Sequence, residues 1–418
     1  MNKSLAFAAA SLAVTATATA APIDNAGSAR RPNIILFLVD DMGWQDTSLP
    51  FWTERTKYNK MYETPNMERL ARQGMMFTQA YAASVSSPSR CSLITGANNA
   101  RHRVTNWTLE RDKSVDLPNK VVDCPKWNIN GVSQVAGTPH TYVGTSFVEL
   151  LRRSGYHTIH CGKAHFGAMD TPGENPTHWG FEVNIAGHAA GGLATYLSEL
   201  NYGHTKDGKP TSLMSIPGLE KYWGTGTFVT EALTKEAIGA LDKAKKYNQP
   251  FFLYMSHYAI HIPIDRDERF FSKYVRKGLS DKEAAYASLI EGMDKSLGDL
   301  MDWVERNGEK DNTIILFMSD NGGLATNPTW RDGELFHQNY PLLSGKCSLY
   351  EGGIREPMIV SWPGVTRAGS KCDKYTMIED FYPTILEMAG VNKYKTVAPV
   401  DGLSFVPMLR ETGDTSKG

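Results

Sequence analysis

Pro32-Asn-Ile-Ile-Leu-Phe-Leu-Val-Asp40-Asp41 decides how the rest of the chain is read. Its six apolar residues run without a polar interruption. That pattern predicts a strand covered on both faces, as in a parallel sheet flanked by helices. Thr313-Ile-Ile-Leu-Phe-Met-Ser319 repeats it, and residues 357–362 are a further candidate. Helix signals fall between the strands. Thr64-Pro65 supplies an N-cap and an N1 proline for a helix closed by Gly74. Residues 147–153 read as a helix stopped at Gly155, and residues 156–161 as a strand. An amphipathic stretch at about 227–246 precedes a strand at 250–256. Ser280-Asp-Lys-Glu283 is a capping box for a helix ending at Asn307-Gly308. The alternation predicts an α/β fold: a three-layer sandwich around a large mixed, mostly parallel sheet. Residues 97–140 and 166–224, rich in Gly, Pro, Asn, Thr and His, read as long surface insertions of the kind that carry recognition.

The two opening strands end in chemistry. One runs into Asp40-Asp41, the other into Asp320-Asn321-Gly322-Gly323. Open α/β sheets bind ligands beyond the carboxyl ends of their strands, so both clusters are expected at one edge. Carboxylates and an amide oxygen are hard donors, suited to calcium or magnesium rather than zinc.

A third segment is Ser86-Ser87-Pro88-Ser89-Arg90-Cys91-Ser92-Leu93-Ile94-Thr95-Gly96. It resembles the maturation signature of the formylglycine-dependent sulfatases: Cys or Ser, any residue, Pro, a small residue, Arg, and a Leu/Ile-Thr-Gly tail. Ser86 has Pro two positions on and Arg four positions on; Cys91 has neither. Further stretches resemble the family in order: Gly162-Lys163-Ala164-His165, Ile260-His261-Ile262-Pro263, Gly345-Lys346, Tyr350-Glu351-Gly352-Gly353-Ile354-Arg355, Asp380-Phe381-Tyr382-Pro383-Thr384 and Asp401-Gly402.

The resemblance implies an alkaline-phosphatase/sulfatase-like fold and a sulfuric ester hydrolase of the EC 3.1.6 type. It implies that Ser86 becomes formylglycine, made by a maturation enzyme acting on the motif. Serine itself would form a stable sulfate ester and stop. The hydrated aldehyde has one hydroxyl to take the sulfate and a second to expel it, a covalent route with built-in release. The implied metal set is Asp40, Asp41, Ser86, Asp320 and Asn321, holding Ca2+ in preference to Mg2+. Arg90 orients the nucleophile, and Lys163 and Lys346 neutralise sulfate oxygens. His261 is the implied general acid toward the departing alcohol, and His165 the base that releases sulfate. His257 is assigned to support. His102, Asn106 and Trp107, within Ala100-Arg-His-Arg-Val-Thr-Asn-Trp107, resemble the sugar-contacting stretch of members acting on sulfated galactose-type sugars. The expected substrate is a sulfated carbohydrate. A phosphate mono- or diesterase of the same superfamily stays open as an alternative, as does an inactive sulfoglycan-binding protein with unconverted Ser86.

The remaining sequence is consistent with export. Lys3 precedes a short apolar run and then small residues up to Pro22, which predicts a signal peptide at 1–21 cut near Ala20 or Ala21. The expectation is a bacterial periplasmic or secreted protein, with 22–418 as the catalytic domain and no membrane span. The family usually adds a small C-terminal subdomain. This chain stops at Gly418, soon after Asp401-Gly402, so that subdomain is expected to be truncated and the chain only marginally stable. Lys and Arg number 44 against 45 Asp and Glu, so nothing in the charge favours nucleic acid. Five scattered cysteines are too few for a disulfide framework, and one or two bridges stay open. No feature of the sequence sets an oligomeric state.

Overall fold

The computed structural model describes residues 30–324 and 337–415. The expected signal peptide at 1–21 and the terminus at Gly418 lie outside the described residues. The central sheet has nine strands: β1 (Asn33–Val39), β2 (Met75–Tyr81), β3 (His157–Gly162), β4 (Val183–Ile185), β5 (Phe251–Ser256), β6 (Thr313–Ser319), β7 (Arg355–Ser361), β8 (Ser370–Cys372) and β9 (Thr376–Met377). Their order is β8-β2-β7-β6-β1-β5-β3-β4, with β9 also pairing with β2. Only β7 runs against its neighbours β2 and β6. The sheet is therefore mixed and mostly parallel.

The principal helices are α1 (Pro65–Gln73), α2 (Ser86–Thr95), α3 (Phe147–Arg153), α4 (Val229–Lys245), α5 (Asp281–Arg306) and α6 (Phe381–Met388). The uninterrupted apolar run of β1 is explained by its two coverings. Ile35, Phe37 and Val39 join the core packed by α1, α4 and α5. Ile34, Leu36 and Leu38 join the core packed by α2, α3 and α6. Strand side chains alternate between faces, so each residue of the run has an apolar partner layer.

Local signals map closely onto the elements. Ser280 Oγ accepts the Glu283 backbone N–H, the N-cap half of the anticipated box. Thr64 occupies the N-cap of α1 without a capping bond; its hydroxyl joins Thr47 and Ser48 instead. One expectation needs correcting. Residues 166–224 are not simply a surface insertion, because Tyr196, Tyr202, Ile216 and Leu219 are wholly buried in the α4/α5-side core. All five cysteines are unpaired, so neither disulfide left open is formed. Among the described residues, no helix is long and apolar enough to cross a membrane.

Candidate active site

Four strands deliver side chains to one edge of the sheet. β1 ends in Asp40 and Asp41, β6 in Asp320 and Asn321, β3 in Gly162-Lys163, and β5 at Ser256. α2 begins at this edge with Ser86. Its Pro88 falls in the first turn, where a backbone N–H has no helical acceptor and its loss costs nothing. Gly96, at φ 68°, closes the helix in the left-handed region. The N-terminal amides and the helix dipole favour an anion beside Ser86. Gly162 lets Lys163 enter. Its φ is 100°, and a β-carbon there would lie 1.9 Å from the Ser256 carbonyl oxygen.

Ser86 Oγ sits among Asp40 Oδ1 at 3.2 Å, Asn321 Oδ1 at 3.2 Å and Lys163 Nζ at 2.8 Å. Lys163 Nζ also lies 2.8 Å from both Asp40 oxygens. Lys346 Nζ donates to Asp41 Oδ2 at 2.8 Å, and Asn321 Nδ2 to Asp41 Oδ1 at 2.8 Å. Arg90 is wholly buried. Its Nε and Nη2 lie 2.9 and 2.8 Å from Asp320 Oδ2, and its Nη1 donates to Ser256 Oγ and the Lys163 carbonyl. Three carboxylates thus face three cations, and the formal charges cancel.

Burial pushes the Asp40 carboxyl up to about 8 against the pull of Lys163, and burial pushes Lys163 itself down. For Asp41, burial is outweighed by Lys346, His261 and Lys163, which hold it well below the usual carboxylate range. Lys346 moves the other way: burial lowers it, but Asp41 and Asp40 raise it further.

Ligand oxygens of Asp40, Asp41 and Asp320 can all lie within 4.8 Å of one another. With Asn321 Oδ1 and Ser86 Oγ beside them, every donor is a hard oxygen. A divalent cation fits this set, and thiolate- or imidazole-seeking metals do not. Such an ion would shift the formal charge of the site from zero to +2, which favours an anionic ester.

The two candidate histidines stand differently from one another. His261 is mostly buried at the rim, with Nε2 3.7 Å from Asp41 Oδ2 and Nδ1 2.7 Å from the Ile262 carbonyl. That carbonyl can only accept, so the Nδ1 proton is fixed and Nε2 faces the site. Burial, then Lys346, pushes its pKa down to about 3 while Asp41 pulls it up. His165 does not bond Ser86. Its Nε2 lies 2.9 Å from Ser87 Oγ and 2.8 Å from the Thr108 carbonyl, and burial holds the ring neutral.

The expected sugar-contacting trio separates. His102 is wholly buried, with Nε2 3.0 Å from Ser92 Oγ and Nδ1 accepting the Val104 N–H. Both ring nitrogens are committed to the protein, so His102 is a brace on α2 and not a sugar contact. Asn106 donates to Asp116 and is half-buried, whereas Trp107 is exposed. His257 is buried against Ser296, in keeping with support.

Several residues escaped the sequence reading. Ser256 and Tyr254 fix Arg90, and Ser87 and Thr108 hold His165. Tyr196 donates toward the carbonyls of Tyr258 and His261, fixing the turn that carries His261. Ser256 was in principle findable, because it ends a strand at the same edge. Tyr196 lies in an irregular segment with no such signal.

A mixed sheet with acidic strand ends, lysines aimed at a helix-borne hydroxyl and a net-neutral oxygen cage defines a hydrolase of anionic esters with the alkaline-phosphatase-like fold. The Sulfatase family model matches residues 32–391, and the chain belongs to this family of sulfuric ester hydrolases. A sulfatase of Formosa agariphila is 29% identical over 425 residues, covering 91% of this chain and 73% of its own. The N-acetylgalactosamine-6-sulfatase of Mus musculus is 28% identical over 400 residues, covering 92% and 67%. Among solved structures, Ps i-CgsB in complex with k-i-k-neocarrahexaose superposes with a TM-score of 0.71 at 27% identity, covering 92% of this chain and 77% of that one.

Proposed function

We propose that this chain hydrolyses sulfate esters on carbohydrates, with a formylglycine made from Ser86 as nucleophile and calcium at the oxygen cage. The observation that carries the reading is the position of Ser86 Oγ, in contact at once with Asp40, Asn321 and Lys163 at the N-terminus of α2. A hydrated formylglycine there supplies paired hydroxyls to accept and release the sulfuryl group, and a divalent cation supplies the charge that polarises them.

The chain's own residues do the rest. Asp40, Asp41, Asp320 and Asn321 would hold the cation, and Arg90 keeps Asp320 ionised and aimed. Lys163 and Lys346 bind the ester oxygens and stabilise the charge that grows there. His261 presents Nε2 toward the leaving-group side and donates the proton to the departing alcohol. Burial keeps the ring neutral, assisted by Lys346 and Lys163, and the negative charge of bound ester would offset the two lysines. His165 is the proposed base of the release step, and because its Nε2 donates to the Thr108 carbonyl it would take the proton at Nδ1, which has no partner among the described residues.

Sulfated galactose-type sugars are the proposed substrates, in line with a relative named an N-acetylgalactosamine-6-sulfatase and a structural neighbour solved in complex with k-i-k-neocarrahexaose. Asn106 and Trp107 remain proposed sugar contacts. We place the protein in the periplasm or outside a bacterial cell, with Ser86 modified by a maturation enzyme. Peptide mass spectrometry across Ser86, on protein made in an anaerobic host, tests the nucleophile. Loss of two hydrogens at residue 86 is expected, and Ser86→Ala abolishes sulfate release. An intact serine in fully active enzyme overturns the mechanism.

A further inference from the structure

Asn339 is wholly buried between three loops that carry the site, and its side-chain amide bonds to all three. Oδ1 accepts the backbone N–H of Trp44 at 3.3 Å and of Gly323 at 3.2 Å. Nδ2 donates to the carbonyls of Gly323 at 3.3 Å and Ser344 at 3.0 Å. A primary amide offers two lone-pair directions and two hydrogens, and here all four have partners.

Each loop brings a different part of the site. Trp44 follows Asp40-Asp41, Gly323 follows Asp320-Asn321, and Ser344 stands just before Lys346. The Gly323 carbonyl also accepts the Lys346 backbone N–H at 3.0 Å, so Asn339 and Lys346 share one acceptor. Two glycines leave room for this knot. A β-carbon on Gly43 would lie 2.7 Å from Asn339 Oδ1, and one on Gly323 would lie 2.6 Å from Gln338 Cγ and 2.8 Å from Gly43 Cα.

Lys346 reaches Asp41 Oδ2 with its ammonium at 2.8 Å. A lysine carries a point charge on a flexible stem, so the place of that charge depends on where the backbone is anchored. Aspartate at 339 would keep both acceptor bonds and lose both donors to Gly323 and Ser344. Alanine would lose all four, leaving buried backbone groups without partners.

From this we infer that Asn339 is a positioning residue of the sulfate site, which holds the Lys346 backbone in register with the strand ends bearing Asp40, Asp41, Asp320 and Asn321. The inference rests on the assignment of Lys346 to the ester oxygens and deepens it by naming what sets that lysine in place. Asn339 acts through Lys346 and does not itself touch the ester.

Two measurements in excess calcium test it on Asn339→Ala and Asn339→Asp, with Asn33→Leu as control. Asn33 is another buried amide, bonded to Glu309 and to the Phe251 N–H at the opposite end of β1, so its loss reports general destabilisation. The first measurement is the rate at which an amine-reactive acetylating ester modifies Lys346, read by peptide mass spectrometry. Both Asn339 variants should raise it about fivefold or more, and Asn33→Leu should leave it within about twofold of wild type. The second is calorimetric titration with inorganic sulfate. Asn339→Ala should weaken binding roughly tenfold in wild type but less than about twofold once Lys346→Met is present, because effects carried by one side chain are not additive.

Asn339→Asp keeps half of the knot, so its acetylation rate decides the matter if Asn339→Ala does not fold. Failure of both variants to fold would show a purely structural role and overturn the inference. So would an unchanged acetylation rate, the same acceleration in Asn33→Leu, or an equal loss of sulfate binding with and without Lys346→Met. Faster acetylation in a protein whose wild type binds no sulfate would instead overturn the role given to Lys346, and leave its positioning by Asn339 standing.

Discussion

Arg90→Met removes one charge from the interior while keeping most of the side-chain length, and its cost can be worked from the contacts. Arg90 is the nearest cation to Asp320, at 2.8 Å; Lys163 Nζ is the next, at 3.9 Å. Deleting one member of a buried pair leaves the other charged and uncompensated, at about 3–5 kcal/mol. The Ser256 hydroxyl and the Lys163 carbonyl also lose a donor, adding about 1 kcal/mol where water cannot replace it. A loss near 4–6 kcal/mol is a large part of the ~5–15 kcal/mol stability of a typical domain. At about 2 cal/mol/K of unfolding entropy per residue, a chain of 418 residues shifts by only about 1 °C per kcal/mol. The melting midpoint should therefore fall by about 5 °C.

The assay is urea unfolding and calorimetry in chelator. It is then repeated in excess calcium, where a cation beside Asp320 takes over part of the missing charge and the deficit shrinks. A loss below about 1 kcal/mol in chelator would refute the argument that Asp320 depends on Arg90. A deficit unchanged by calcium would refute the argument that the cation binds at Asp320.

Three further outcomes follow from the same geometry. Calcium at one hundred times its dissociation constant should stabilise wild type by about 2.7 kcal/mol, and Asp320→Asn should abolish that gain in a thermal-shift titration. Gly162→Ala, at φ 100° with the Ser256 carbonyl 1.9 Å from the new carbon, should cost more than about 2 kcal/mol and lower sulfate release by displacing Lys163. Burial pushes His102 down to about 4, and His160 and His257 to about 3, so the unfolded chain binds more protons than the folded one below pH 6.5. Stability should be full above about pH 6.5 and fall as pH drops toward 4, by up to about 1.4 kcal/mol per pH unit for each histidine. Melting curves of wild type and His257→Gln between pH 4 and 8 check this; an identical slope in the variant would count against it.

What local sequence could determine was determined by pattern. The run from Ile34 to Val39 has one way of satisfying all its residues, a strand between two apolar layers, and the two cores divide it residue by residue. Ser86 was separable from Cys91 because Pro88 and Arg90 stand at fixed offsets from it. Cys91 is buried against the Phe166 carbonyl, one turn down the same helix. The acidic pairs at 40–41 and 320–321 were legible together because parallel strands deliver their carboxyl ends to one edge.

Tertiary structure alone decided the matters that depend on which neighbour arrives from elsewhere in the chain. His102 looked available for a sugar until Ser92 and the Val104 amide consumed both of its nitrogens. His165 was expected to act as the base that releases sulfate, and only the folded chain shows that its ring bonds Ser87 and Thr108. Tyr196, in a stretch read as surface, is buried beneath the His261 turn. β7 reverses direction between two parallel neighbours, a choice its own apolar residues could not express. Hydrophobic periodicity reports how many faces of a segment are covered. The partner of a polar side chain is set by contacts across tens to hundreds of residues, and only the folded chain specifies them.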